Sequence, residues 1–194
     1  AMKAPRYLVQ TRDLSGVAAA AGPFLEAARA LGDRLGPLLW QFAPQHKADA
    51  AALVDLMATL PRQIGGRTLQ HALHVRNAGC HGEALVAGAR AHNVALVIED
   101  GEDGPLHGDV TADFVYARIK RSQARLRAGL TVPVQQRWAA RAQQWRNGAT
   151  PNDLPLSAPA APAHPREVYL LCIGAAKERN PAAAMALQKR CDPA

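Results

Sequence analysis

The chain has 194 residues, 48% of them apolar, and carries 23 lysines and arginines against 16 aspartates and glutamates, a formal charge of +7. That length suits one domain with a substantial core, and the lack of an unbroken apolar run of about 20 residues excludes a membrane-spanning helix. Three cysteines, Cys80, Cys172 and Cys191, lack the spacing of a metal or redox site, and no secretory leader is read, so reduced thiols in a cytoplasmic protein are expected.

In chain order, residues 2–8 read as a first strand. Asp13 and Ser15 offer caps for an alanine-rich helix over 16–31 with Phe24, Leu25, Ala28 and Leu31 as its apolar stripe, and Pro23 predicts a kink or restart within it. Residues 36–42 form a buried strand whose period places Leu38, Trp40 and Phe42 on one face and Leu39 and Gln41 on the other. A helix over 47–60 ends before Pro61, and Gly65-Gly66 turns the chain into a strand over 69–76. There Leu73 and Val75 share the apolar face, while Ala72, His74 and Arg76 take the other. A helix over 81–92 and a buried strand over 94–98 follow.

The strand runs into Glu99-Asp100-Gly101-Glu102-Asp103, which suits a solvated loop or a divalent cation; without partners at fixed spacing no metal is assigned, and no cofactor motif is present. The next strand, within residues 111–121, organises the chain. Phe114, Tyr116 and Arg118 share one face, and Val115, Ala117 and Ile119 the other. An isolated buried charge is costly, so Arg118 is expected to face a wet, anion-accepting cleft or to meet a carboxylate such as Asp113; alternatively it pins a loop through a salt bridge.

Val134, Trp138, Ala142 and Trp145 recur at helical spacing over 132–146, where Arg137, Arg141 and Arg146 read as snorkelling side chains. Residues 149–166 are rich in proline and alanine, an internal linker or lid. A last apolar strand over 167–173 leads into Gly174 and a final helix that Asn180 caps and Pro181 opens, beside Lys177 and Arg179.

Strands apolar on both faces alternate with helices, the pattern of parallel βα units, about six strands in all. In such folds functional residues gather at the strand C-terminal ends, where Gln41, Arg76, Arg118 and Lys177 fall. The charge is also localised. Between Asp113 and Asp153 there are eight basic residues and no acidic one, leaving 15 basic against 16 acidic residues elsewhere. A basic segment of this kind fits a phosphate-bearing partner or plain solubility.

Four segments carry a family resemblance: 2–8 (Met-Lys-Ala-Pro-Arg-Tyr-Leu), 31–41 (Leu-Gly-Asp-Arg-Leu-Gly-Pro-Leu-Leu-Trp-Gln), 111–118 (Thr-Ala-Asp-Phe-Val-Tyr-Ala-Arg) and 174–187, which opens Gly-Ala-Ala-Lys-Glu-Arg-Asn-Pro. In order and spacing they resemble the YecE-like family, the domain of unknown function numbered seventy-two. The resemblance implies a TIM-barrel-like fold akin to the endonuclease IV superfamily, with no established activity. The family normally has two further βα units before the strand bearing Lys3, so an incomplete barrel is expected, with open edges through which a homodimer can form. The family's fifth strand bears a glutamate, an arginine, a histidine and a tryptophan, which here stand as His74, Arg76, Asn77 and Cys80; Lys120 replaces a histidine after the Tyr-x-Arg strand. These changes remove the acid–base pair that the family pattern would supply.

Together these readings give a single α/β domain over 1–194, an incomplete TIM-barrel-like fold. The function expected is binding of a small phosphorylated ligand or nucleic acid in a basic cleft built from Lys3, Gln41, Arg76, Asp113, Tyr116, Arg118 and Lys177, with Tyr116 stacking a base. A metal-dependent endonuclease-like hydrolase and a non-catalytic barrel remnant acting through protein partners are the alternatives. No membrane partner is expected. His71 and His74 fall on opposite faces of one strand, which disfavours a histidine cluster for metal.

Overall fold

The computed structural model describes residues 1–101 and 106–192. The chain begins with a two-residue strand, β1 (Met2–Lys3), in place of the longer one expected over 2–8. Ala4 still donates its N–H to Leu39 O at 2.8 Å. Pro5 has no N–H to continue the ladder, and its fixed φ of −59° opens a short helix, α1 (Arg6–Val9). The alanine-rich stretch breaks at Ala21, as Pro23 predicts, into α2 (Val17–Ala20) and α3 (Gly22–Arg29), with the proline in the first turn of α3.

Next come β2 (Leu38–Gln41) and α4 (Ala50–Thr59), whose first turn is capped by Asp49 accepting the Ala52 N–H at 2.8 Å. Gly65 and Gly66, at φ of +55° and +79°, adopt the left-handed turn that joins a small antiparallel hairpin, β3 (Gln63–Ile64) and β4 (Arg67–Thr68). Beyond it lie β5 (His71–His74), α5 (Glu83–Ala91), β6 (Val94–Leu96), β7 (Ile98–Glu99), β8 (Phe114–Ile119), α6 (Val132–Arg146), β9 (Glu167–Cys172) and α7 (Asn180–Cys191).

All the long-range pairing is parallel. One sheet runs β1-β2-β5-β6 and a second β7-β8-β9. The stretch from Val94 to Glu99 belongs to both: β6 pairs with β5, the Val97 N–H still bonds Leu73 O at 2.9 Å, and β7 then pairs with β8. Counted this way, six parallel strands curve around one interior, an incomplete TIM-barrel-like fold with helices outside. Among the described residues β1 has a strand neighbour only in β2, and β9 only in β8, so the barrel has two open edges. Most of β9 is half-buried although every residue from Val168 to Cys172 is apolar.

Strand alternation sorts the core into three clusters. Leu38, Trp40, Phe42, Leu73, Val94 and Leu96 face outward onto the first helices. Ile98, Val115, Ala117 and Ile119 pack with Trp138 and Trp145 of α6 and Ala183 and Leu187 of α7. The interior is filled by Leu39, Ala72, Ala95, Val97, Ala112, Phe114 and Tyr116, with Tyr169 and Leu171 of β9 against them. The lower end is closed by Gln70, which accepts the Tyr169 hydroxyl at 2.9 Å and donates to Glu167.

Residues 149–166 are irregular, as their composition implies, and are tied down: Asp109 accepts the N–H groups of Ser157 and Ala158, and Arg166 donates to the carbonyls of Ala112, Pro162 and His164. Two of the arginines expected to snorkel are ion-paired. Arg141 is buried against Asp153 at 2.9 Å with its guanidinium 4.7 Å from the Trp138 ring centroid, and Arg146 meets Asp192 at 2.6 Å. Asn180 does not cap α7; its side chain turns back to bond both the N–H and the C=O of Gly174. No helix among the described residues is long and apolar enough to cross a membrane.

Trp40 anchors the larger cluster: it is fully buried, meets Phe24 edge-on at 5.7 Å and donates its indole N–H to His71 Nδ1 at 3.0 Å. Trp40→Ala is expected to cost about 4 kcal/mol in equilibrium urea unfolding; an unchanged midpoint would contradict this placement of the core.

Candidate functional site at the strand C-terminal ends

One step above the apolar interior, along the same inward faces, the side chains turn polar. Gln41 pairs in register with His74, and Glu99 with Arg118. These positions follow Leu39, Ala72, Val97 and Tyr116 by two residues, so the strand period alone carries them onto the inner face. Two residues further on, Arg76 and Lys120 extend the layer upward.

Glu99 is the centre. It is only 6% exposed, and three donors converge on it. Its Oε1 accepts from Lys120 Nζ at 3.2 Å, and its Oε2 lies 3.3 Å from Arg118 Nη1 and 3.5 Å from His74 Nε2. Arg118 Nη1 also donates to His74 Nδ1 at 2.7 Å. A guanidinium has no lone pair to offer, so Nδ1 is the acceptor and the imidazole proton sits on Nε2, facing Glu99. Burial first, and then Arg118 and its neighbouring cations, push the His74 pKa down to about 2. Burial also lowers the Arg118 pKa, opposed chiefly by Glu99, and raises that of Tyr116.

The adjoining Asp100 is buried and fully engaged. Its Oδ1 accepts the Lys120 N–H at 2.8 Å and its Oδ2 the Trp138 indole N–H at 3.0 Å, while burial raises its pKa against those bonds. Beside it opens a cavity of about 350 Å³ lined by Gly101, Lys120, Arg121, Ser122, Gln123 and Ala175, together with Asp100. These residues belong to the loops that follow β7, β8 and β9.

Of the residues expected at the site, Gln41, Arg76 and Arg118 share this upper layer, half-buried. Tyr116 is 2% exposed within the apolar interior, which leaves no ring face open to stack a base. Lys3 is exposed on β1, level with Leu39 and below the polar layer. Lys177 is exposed on a 3-10 turn after β9. Asp113 lies at the opposite end of β8, where it bonds Asn93 and sits 3.3 Å from His164; the carboxylate that meets Arg118 is Glu99. Glu99, His74 and Lys120 complete the cluster. Glu99 was hidden by the acidic run it opens, although Ala95, Val97 and Glu99 continue one strand face; Glu102 and Asp103 of that run lie outside the described residues.

His71, the other histidine on β5, is placed as the strand period implies. It faces outward and is satisfied by Trp40 and the Pro61 carbonyl. His107, 5% exposed, lies tilted against His81 with ring centroids 4.5 Å apart, and burial, then His81, lower its pKa to about 4. Among the described residues no group of three histidine, cysteine, aspartate or glutamate side chains is arranged to hold a metal ion.

Parallel βα units with charged side chains gathered over the strand C-terminal ends define a protein of the TIM-barrel-like class. Within that class, a family model described as protein of unknown function DUF72 matches residues 1–194, and the chain belongs to that family. A crystal structure of a DUF72 family protein from Thermotoga maritima is similar in fold, with a TM-score of 0.61 over 96% of this chain and 70% of that one, at 16% sequence identity. No curated protein matches the chain.

Arg118→Met should leave Glu99 as an undercompensated buried anion and cost about 3 kcal/mol in urea unfolding, with part of the loss recovered in the Arg118→Met/Glu99→Gln double variant. Additive losses would show that the pair is not coupled. Acid provides a second check. Unfolded imidazoles take up protons near pH 6.5 whereas His107 does so only near pH 4, so between those values protons favour the unfolded chain and stability falls. His107 alone accounts for about 3 kcal/mol of that loss, and His107→Leu should flatten the pH dependence of stability by that amount between pH 6.5 and 4.

Proposed function

We propose that the protein binds a phosphate-bearing ligand at the strand C-terminal face, in the cavity beside Lys120 and Arg121. The observation that carries this reading is the pairing of those two consecutive cations with the Ser122 hydroxyl around one small hollow. The hollow lies between the loops after the last two long strands, β8 and β9, the position from which barrel folds present phosphate sites. Its volume of about 350 Å³ suits a small ligand.

His74 argues for binding over proton transfer. Its Nδ1 is occupied by Arg118 and its pKa is near 2, so it stays neutral and does not cycle as a general acid or base near neutral pH. A nucleic acid is the second reading, favoured by Arg125 and Arg127, both exposed on the loop between β8 and α6. The metal-dependent hydrolase finds no such support in the histidine positions.

Calorimetric titration with inorganic phosphate and anisotropy titration with a labelled single-stranded oligonucleotide, each across a salt series, test the proposal. Phosphate is expected to bind at low salt, to weaken as salt rises, and to lose about tenfold in affinity in Arg121→Ala. No binding of either probe at low salt would overturn it. Oligonucleotide binding with a steep salt slope that depends on Arg125 and Arg127 would favour the second reading.

A further inference from the structure

We infer that the ligand is a phosphorylated hydroxy compound, a polyol or sugar phosphate, whose phosphate sits between Lys120 and Arg121 and whose neighbouring hydroxyl donates to Glu99. This rests on the phosphate reading above and adds the second half of the ligand.

The starting point is an unsatisfied atom. Glu99 Oε2 is buried and accepts no hydrogen bond, although Arg118 Nη1 and His74 Nε2 lie 3.3 and 3.5 Å away. Buried carboxylate oxygens normally have a donor. The Glu99 carboxylate comes close to a residue that lines the cavity, because residue 101 is glycine: a Cβ there would stand 3.1 Å from Glu99 Oε1, the oxygen that Lys120 holds, and 3.3 Å from Lys120 Nζ. With no side chain at 101, the approach to Glu99 Oε1 and Lys120 Nζ from that side stays unfilled.

Chemistry then limits what fills the space. A carboxylate beside two cations repels a second bare anion but accepts a hydroxyl. Asp100, which also lines the hollow, already has a donor at each oxygen, the Lys120 amide at Oδ1 and the Trp138 indole at Oδ2, whereas Glu99 Oε2 has no hydrogen bond. Glu99 Oε2 is thus the carboxylate oxygen beside the hollow that still lacks a hydrogen bond, and Lys120, bonded to Glu99 Oε1 and lining the cavity, spans the phosphate and hydroxyl positions. A ligand with a hydroxyl one or two carbons from its phosphate matches both.

The test compares glycerol 3-phosphate with inorganic phosphate by calorimetry in the wild type, Glu99→Gln and Gly101→Ala. The wild type should bind glycerol 3-phosphate at least about tenfold more tightly than phosphate. Glu99→Gln should keep phosphate binding and bring that ratio close to one. Gly101→Ala, whose Cβ crowds Glu99 Oε1 and Lys120 Nζ but removes neither charge, should weaken glycerol 3-phosphate more than phosphate. Equal affinities in the wild type, or a ratio unchanged in both variants, would overturn the hydroxyl contact while leaving the phosphate site standing; an orphan oxygen satisfied by water gives that result. Failure of both compounds to bind at low salt would overturn the phosphate reading itself.

Discussion

A carboxylate removed from water must be surrounded by donors, or it would take up a proton or unfold its surroundings, and Glu99 imposes that condition on the upper half of this barrel. Parallel register meets it. Pairing of β7 with β8 sets Arg118 beside Glu99, the next inward position on that strand brings Lys120, and β5, the neighbour on the other side of the 94–99 stretch, contributes His74. The requirement then propagates. Arg118 fixes the imidazole tautomer by donating to Nδ1, and burial first, then the cations around His74, keep it neutral. The Lys120 N–H and the Trp138 indole hold Asp100 in place beside the same cluster.

The formal charge of the sequence overstates what this face presents. Of the eight basic residues between Asp113 and Asp153, Arg118 and Lys120 are turned onto Glu99, and Arg141 and Arg146 are engaged by Asp153 and Asp192. Arg121, Arg125 and Arg127 are left exposed on the loop after β8, and Arg137 on α6. The proposal of an anion site thus rests on where a few cations are held, and the length of the basic run is a poor measure of it.

Period-two alternation made the inward faces of β2, β5 and β8 legible, and the need of Arg118 for a partner followed from the cost of burying it. The partner itself did not. Asp113 is near in sequence, but five residues along an extended strand put it about 16 Å away, at the other end of the barrel. Glu99 is far in sequence and adjacent in register, and its membership of a run of acids concealed that its side chain continues the Ala95 and Val97 face. A carboxylate does reach His74, that of Glu99 from the neighbouring strand. Local chemistry also misled at the ends of elements. Pro5 cut the first strand short, and Asn180 had a better use in closing the Gly174 loop than in capping a helix.

The passage of residues 94–99 from one sheet to the other divides the backbone pairing in two, with one cluster of outer side chains behind each sheet. Arg118 belongs to the second sheet and His74 to the first, so their hydrogen bond, along with the apolar interior, stitches across the seam. Such a molecule has a natural cleavage line for partial unfolding, along which amide exchange would separate into an early and a late group. Occupation of the phosphate hollow would draw on Lys120 and Glu99 at the edge of that line, giving a small ligand influence over how firmly the two halves of the barrel are held together.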